Sequence, residues 1–168
     1  NGGVGSAKAA GNYGASFYPT KLAREEGFDQ IIWTDSLSHE YFEESGTMNV
    51  FVRMNNELFT PPVSDTILNG VTRDSMIQLA RSKGITVNEQ RIKVKDVYTA
   101  HKNGSLQEVF GVGTAVIVNR FAEIGYPEER LLLPNLTEEE SVAANLKKDL
   151  LLIQSGRAED PFGWRIKV

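Results

Sequence analysis

The sequence predicts one mixed α/β domain. Segments of helical period alternate with segments of strand period along the whole chain. The 168 residues, 40% of them apolar and 24% charged, suffice for one core and match ordinary globular proteins. No internal repeat or low-complexity tract interrupts the alternation.

Residues 15–26 carry a helical pattern with Phe17, Leu22 and Ala23 as its core contacts, and Pro19 predicts a kink or a late start. Residues 30–34 (Gln30-Ile31-Ile32-Trp33-Thr34) read as a buried strand, and Asp35 to Ser38 as the turn after it. Strands over 41–44 and 49–54 flank a Ser45-Gly46 turn, and a short strand over 57–60 stops at Pro61-Pro62. After the Asn69-Gly70 turn, Thr72 is placed to cap a helix over 73–83 that Gly84 ends. Met76, Ile77, Leu79 and Ala80 form its apolar face. Residues 86–92 alternate as a strand, and 94–102 suit a short helix closed by Asn103-Gly104. Two strand-like runs lie between Glu108 and Phe121, around a Gly111-Val112-Gly113-Thr114 loop. A last helix starts at Thr137-Glu138-Glu139-Glu140, acids first as the helix dipole favours. It carries Val142, Leu146, Leu150 and Ile153 at helical spacing.

Composition excludes several functions. With no cysteine, disulfide and thiolate chemistry are absent. The two histidines, His39 and His101, stand in no cluster at ligand spacing, so no metal site is expected. Net charge is −4 with the two signs interspersed, which argues against nucleic acid. No apolar run reaches the roughly 20 residues of a membrane span. A cytoplasmic setting is expected.

Four segments could carry chemistry. In Gly5-Ser6-Ala7-Lys8-Ala9-Ala10-Gly11-Asn12-Tyr13, the lysine reads first as an ordinary surface residue. Its functional reading is a partly buried amine able to attack an aldehyde cofactor. In Glu43-Glu44-Ser45-Gly46-Thr47-Met48-Asn49, adjacent acids on a strand face opposite ways, so at most one points inward. That one could hold a proton on a heteroaromatic nitrogen; the ordinary reading is two solvated carboxylates. Leu68-Asn69-Gly70-Val71-Thr72-Arg73 feeds a helix start, which either is simply capped or binds phosphate. Phe110-Gly111-Val112-Gly113-Thr114-Ala115 matches no nucleotide-binding spacing and reads as a bulge or as an anion-binding loop. Together they offer an amine, an acid, a phenol and two anion sites, the set that pyridoxal phosphate requires.

In this order, the four segments resemble the motifs of fold-type IV pyridoxal-phosphate enzymes, and within them the branched-chain amino-acid aminotransferases. Ile153-Gln154-Ser155-Gly156-Arg157 and Gly163-Trp164 also resemble that family, so the likeness runs over the whole chain. It implies the large, C-terminal, pseudo-barrel domain of the D-amino-acid aminotransferase-like fold, occupying residues 1–168 without the family's N-terminal domain. It implies Lys8 as the Schiff-base lysine and proton carrier, Glu44 beside the pyridine nitrogen, and Tyr13 on the phenolate oxygen. Leu68 would pack on the ring, and Val71, Thr72 and Thr114 would hold the phosphate. Thr47, Thr114 and Ala115 would line the substrate pocket. The implied reaction is transamination of leucine, isoleucine and valine with 2-oxoglutarate by a homodimer.

Val116 and Asn119 stand where some members carry a redox cysteine pair, and Asn69 replaces a common proline. The Gly46-Thr47-Met48-Asn49 run favours the branched-chain group over D-amino-acid aminotransferases and aminodeoxychorismate lyases. Without the N-terminal domain, weak or no activity is expected. A folding or dimerisation unit without activity is the alternative.

Overall fold

A computed structural model describes residues 2–166. Two short helices, α1 (Ala10–Gly14) and α2 (Phe17–Glu25), lead into β1 (Ile32–Thr34), β2 (Tyr41–Ser45), β3 (Met48–Met54) and β4 (Glu57–Thr60). Helix α3 (Val71–Ser82) crosses to β5 (Val87–Glu89), then β6 (Ile92–Lys93) and α4 (Val94–Lys102). Strands β7 (Leu106–Gly113) and β8 (Ile117–Arg120), a hairpin of β9 (Glu123–Tyr126) with β10 (Glu129–Leu132), and α5 (Val142–Gln154) complete the chain.

The sheet is antiparallel except where β5 runs parallel to β4, the pairing that the α3 crossover permits. Strand β3 is its spine. One edge pairs with β7 in register from Asn49↔Val112 to Arg53↔Glu108. The other edge is shared: β2 takes Met48 and Asn49, and β4 takes Val52 to Met54. The sheet therefore forks near Val50, where Thr60 Oγ1 donates to the Val50 carbonyl at 2.8 Å.

Alternation along the spine makes two cores. Phe51 and Phe110, a cross-strand pair stacked at 5.3 Å, face α3 and α5 with Met76, Ile77, Leu146 and Leu150. Val50, Val52 and Val109 face the other way, against Val97 of α4 and Ile124 and Leu131 of the hairpin. Each of these large side chains contributes about 1.5–3 kcal/mol by leaving water.

Several expectations need correction. Phe17 and Leu22 are exposed rather than core contacts; Phe28 anchors this region instead, against the hairpin and under the Arg130 guanidinium. Pro19 does not kink α2, because it occupies the first turn, where its missing N–H costs nothing. The strand over 30–34 is shorter and only half-buried. The turn after β2 is Gly46-Thr47, and residues 86–92 split into β5 and β6. The helix over 71–82 begins earlier than expected, with Gly70 at its N-cap and Thr72 already inside it. Gly111 lies within β7, packed under Met48, and the turn falls at Thr114 to Val116. Helix α5 starts after the acidic run. Ser141 caps it, and the acid at its amino end comes from a distant strand: Glu108 accepts from Val142 N at 2.9 Å and Ala143 N at 3.2 Å.

Candidate active site

The second and third segments meet at the fork. Glu43 and Glu44 face opposite sides of β2 as alternation requires. Glu43 accepts from exposed Thr66 Oγ1 at 2.7 Å. Glu44 turns inward, and its Oε1 accepts from the Leu68 backbone N–H and from Asn49 Nδ2, each at 3.1 Å. Burial pushes the Glu44 carboxyl up to about 7; the Leu68 N–H pulls it down, and the Glu43 charge pushes it further up. Among the described residues no cation pairs with it.

The same turn opens α3. No side chain caps this helix, and the first helical bond is Asp74 N to Gly70 O. The Val71, Thr72 and Arg73 amides therefore remain without a helical partner, which is the arrangement that attracts an anion. Val71 is exposed and Thr72 buried. Arg73 braces the helix start from behind, donating to the Pro61 carbonyl at 2.9 Å and to Glu89 at 3.0 Å.

The fourth segment joins through the β3–β7 ladder. Continuing the register past Asn49↔Val112 sets Thr47 opposite Thr114. The Thr47 carbonyl is 3.7 Å from where a Gly113 Cβ would stand. Thr47, Thr114 and Ala115 are exposed at the rim.

The first segment is a strap laid against residues 64–67. Ser6 N donates to the Asp65 carbonyl at 2.9 Å, and Gly2 N to the Asp65 carboxylate at 2.7 Å. Gly5 has no room for a side chain: a Cβ there would lie 2.8 Å from the Asp65 carbonyl oxygen. Asn12 closes the loop that carries Lys8, its Nδ2 donating to the Val4 carbonyl at 2.6 Å and the Ala7 carbonyl at 2.8 Å. Lys8 itself is exposed rather than partly buried, and among the described residues its amine makes no ion pair or hydrogen bond. Tyr13 is half-buried in α1.

Glu44, Leu68, Val71 and Thr72 are thus gathered around one turn, with Thr47, Thr114 and Ala115 along the adjoining ladder. Lys8 and Tyr13 sit on the separate strap. Sequence reasoning passed over Asn49 and Asn12. The signal for Asn49 was its place beside Val50-Phe51-Val52, because a polar amide in a buried strand must be satisfied.

A cavity of about 980 Å³ lies elsewhere, between the β1–β2 region and the β9–β10 hairpin. It is reached by Ser45, which alternates with Glu44 on β2, and none of the residues to which the resemblance gives a role lines it. Of the groups lining it, Arg120 and Arg130 are already paired with Glu138 and Glu123. At the fork, by contrast, an acid and amides without a helical partner converge.

Residues 5–124 match the family described as amino-transferase class IV, and the chain belongs to that family of enzymes. Its relatives narrow the class. The chain is 42% identical over 168 residues to branched-chain-amino-acid transaminase 1 of Bacillus subtilis, covering 100% of this chain and 47% of that protein. The branched-chain amino-acid aminotransferase of Escherichia coli shares the fold with a TM-score of 0.80 at 29% identity, over 98% of this chain and 50% of that one. An aminotransferase from Brucella abortus, bound to the cofactor PLP, matches with a TM-score of 0.70 at 28% identity, over 90% and 48%. The fold-type IV expectation therefore stands, and the chain spans about half the length of these relatives.

Proposed function

We propose that this chain carries the cofactor-binding half of a branched-chain amino-acid aminotransferase. The observation that supports it most is the desolvated Glu44 carboxylate, which has no paired cation among the described residues and shares one turn with the uncapped amides of α3. Pyridoxal phosphate fits both needs: its protonated ring nitrogen answers Glu44, and its phosphate answers the Val71 and Thr72 amides. The cofactor bound to the Brucella abortus relative supports the same assignment.

Bound there, the cofactor supplies an electron sink for the charge left on a substrate α-carbon after deprotonation. Glu44 holds a proton on the ring nitrogen, and Asn49 with the Leu68 N–H keeps that carboxylate aimed. Tyr13 donates to the phenolate oxygen. Thr114 adds its hydroxyl to the phosphate cup, while Leu68 covers the ring and keeps water off it. Lys8 Nζ would hold the cofactor aldehyde and, once freed, would carry the proton of the substrate α-carbon. Thr47 and the Thr114 and Ala115 amides bind the substrate carboxylate at the rim. Leucine, isoleucine and valine are the amino donors, 2-oxoglutarate is the acceptor, and the working unit is a cytoplasmic homodimer. No helix of the described residues is long and apolar enough to cross a membrane. By itself this chain, which spans about half the length of its relatives, is weakly active or inactive.

Loss of the pyridoxal phosphate absorption band on adding each amino acid tests the substrate assignment. L-Leucine should discharge the band and D-alanine should not; the reverse order would place the chain with the D-amino-acid aminotransferases.

A further inference from the structure

Asn49 is the best-connected polar side chain at the fork. It is buried on β3. The two hydrogens of Nδ2 go to Glu44 Oε1 at 3.1 Å and to the Leu68 carbonyl at 2.9 Å. Both neighbours are acceptors, which fixes the orientation of the amide. Its Oδ1 then occupies the space beside Gly70, where any Cβ would overlap it. Gly70 has φ −72° and ψ 129°, angles that any residue adopts. The glycine is therefore required by the Asn49 contact and not by the backbone. The Leu68 N–H closes the circuit by donating back to Glu44 Oε1. One amide thus touches the acid, the turn and the N-cap of α3.

We propose that Asn49 is a positioning residue that sets the spacing between the Glu44 carboxylate and the amino end of α3. The site then selects ligands that carry a cationic ring nitrogen and a phosphate at one separation. This rests on the reading of Glu44 as the ring-nitrogen partner. Position 49 pairs with Glu44 of β2, so the amide ties that branch of the fork to the Leu68–Gly70 turn that leads into α3. Without it, each half of the site can still meet its own group, but not both at once.

The test uses pyridoxamine phosphate and pyridoxamine, which bind without attaching to a lysine, with affinities read by fluorescence on the full chain. In wild type the phosphate should improve affinity strongly. In Asn49→Ala that improvement should fall about tenfold, the scale of one buried hydrogen bond to a charge, while pyridoxamine alone changes less. Gly70→Ala should mimic it, because the new Cβ displaces Oδ1. A second readout needs no ligand. By NMR, the Asn49 side-chain NH₂ and the Leu68 backbone N–H should titrate together, following Glu44. Glu43 is the charged neighbour acting on that carboxyl, so Glu43→Gln should shift the shared midpoint without splitting it. Independent midpoints, or wild-type discrimination retained in both variants, would overturn the proposal. If wild type binds neither compound while the two resonances still titrate together, the cofactor reading fails and the ligand selection with it; the Asn49 network alone survives.

Discussion

Lys8→Ala is expected to abolish exchange of the leucine α-hydrogen in deuterated water by the chain loaded with pyridoxal phosphate. This half of the chemistry needs only the cofactor, its electron sink and a base at the α-carbon. A positioned general base supplies roughly 10²–10⁴-fold in rate. Lys8 also holds the aldehyde, so its loss removes both functions and the fall should reach at least the upper end of that range. Gly5 lets the strap lie on the 64–67 loop, and Asn12 ties the carbonyls on the near side of Lys8. Lys8 is exposed, which leaves its amine accessible to an aldehyde from solvent. Exchange persisting at the wild-type rate in Lys8→Ala would remove this residue from the mechanism.

Glu44→Gln should have opposite effects on stability and on chemistry. The folded carboxyl titrates at about 7 against an ordinary 4.5, chiefly because it is buried. Between these values the folded chain binds more protons than the unfolded one. The Glu44 contribution is thus fully present below about 4.5, and stability declines as pH rises through 7. Glutamine keeps the shape and carries no charge. The variant should lose this part of the slope and be the more stable protein above pH 7, as read by urea midpoints across pH. Loaded with cofactor, it should be the poorer catalyst by roughly 10²-fold, the scale of removing one preorganised electrostatic partner. A variant with unchanged pH dependence would mean that Glu44 is not desolvated as described.

Much of this architecture is legible in local pattern. Residues 57–60 and 94–102 form the strand and helix that their periods predict, and the two adjacent acids divide between faces as strand alternation demands. Long-range choices are not legible in that way. Nothing near Thr72 reveals that α3 starts two residues earlier on a glycine, because that glycine answers Asn49 from another strand. Gly111 looks like a loop residue, yet it is a strand position kept small by Met48 overhead. The acid at the amino end of α5 is Glu108, more than thirty residues upstream, and not the run Glu138-Glu139-Glu140 beside it. The β9–β10 hairpin carries no sharp turn signature, since Pro127-Glu128 closes it with Glu128 at φ 66°. The site residues are visible only as motifs in order. The convergence of Glu44, Leu68, Val71 and Thr72 depends on β2 and β4 sharing one edge of β3, a pairing that no single motif contains.

Attachment of the cofactor to Lys8 is central to the proposed function. Purified chain should be mixed with one equivalent of pyridoxal phosphate, reduced with borohydride, digested and mapped by mass. One phosphopyridoxyl group per chain on the peptide bearing Lys8, prevented when excess pyridoxamine phosphate is present before the reduction, is the predicted result. Label spread over the other exposed lysines, with Lys8 marked no more than they are, would contradict it.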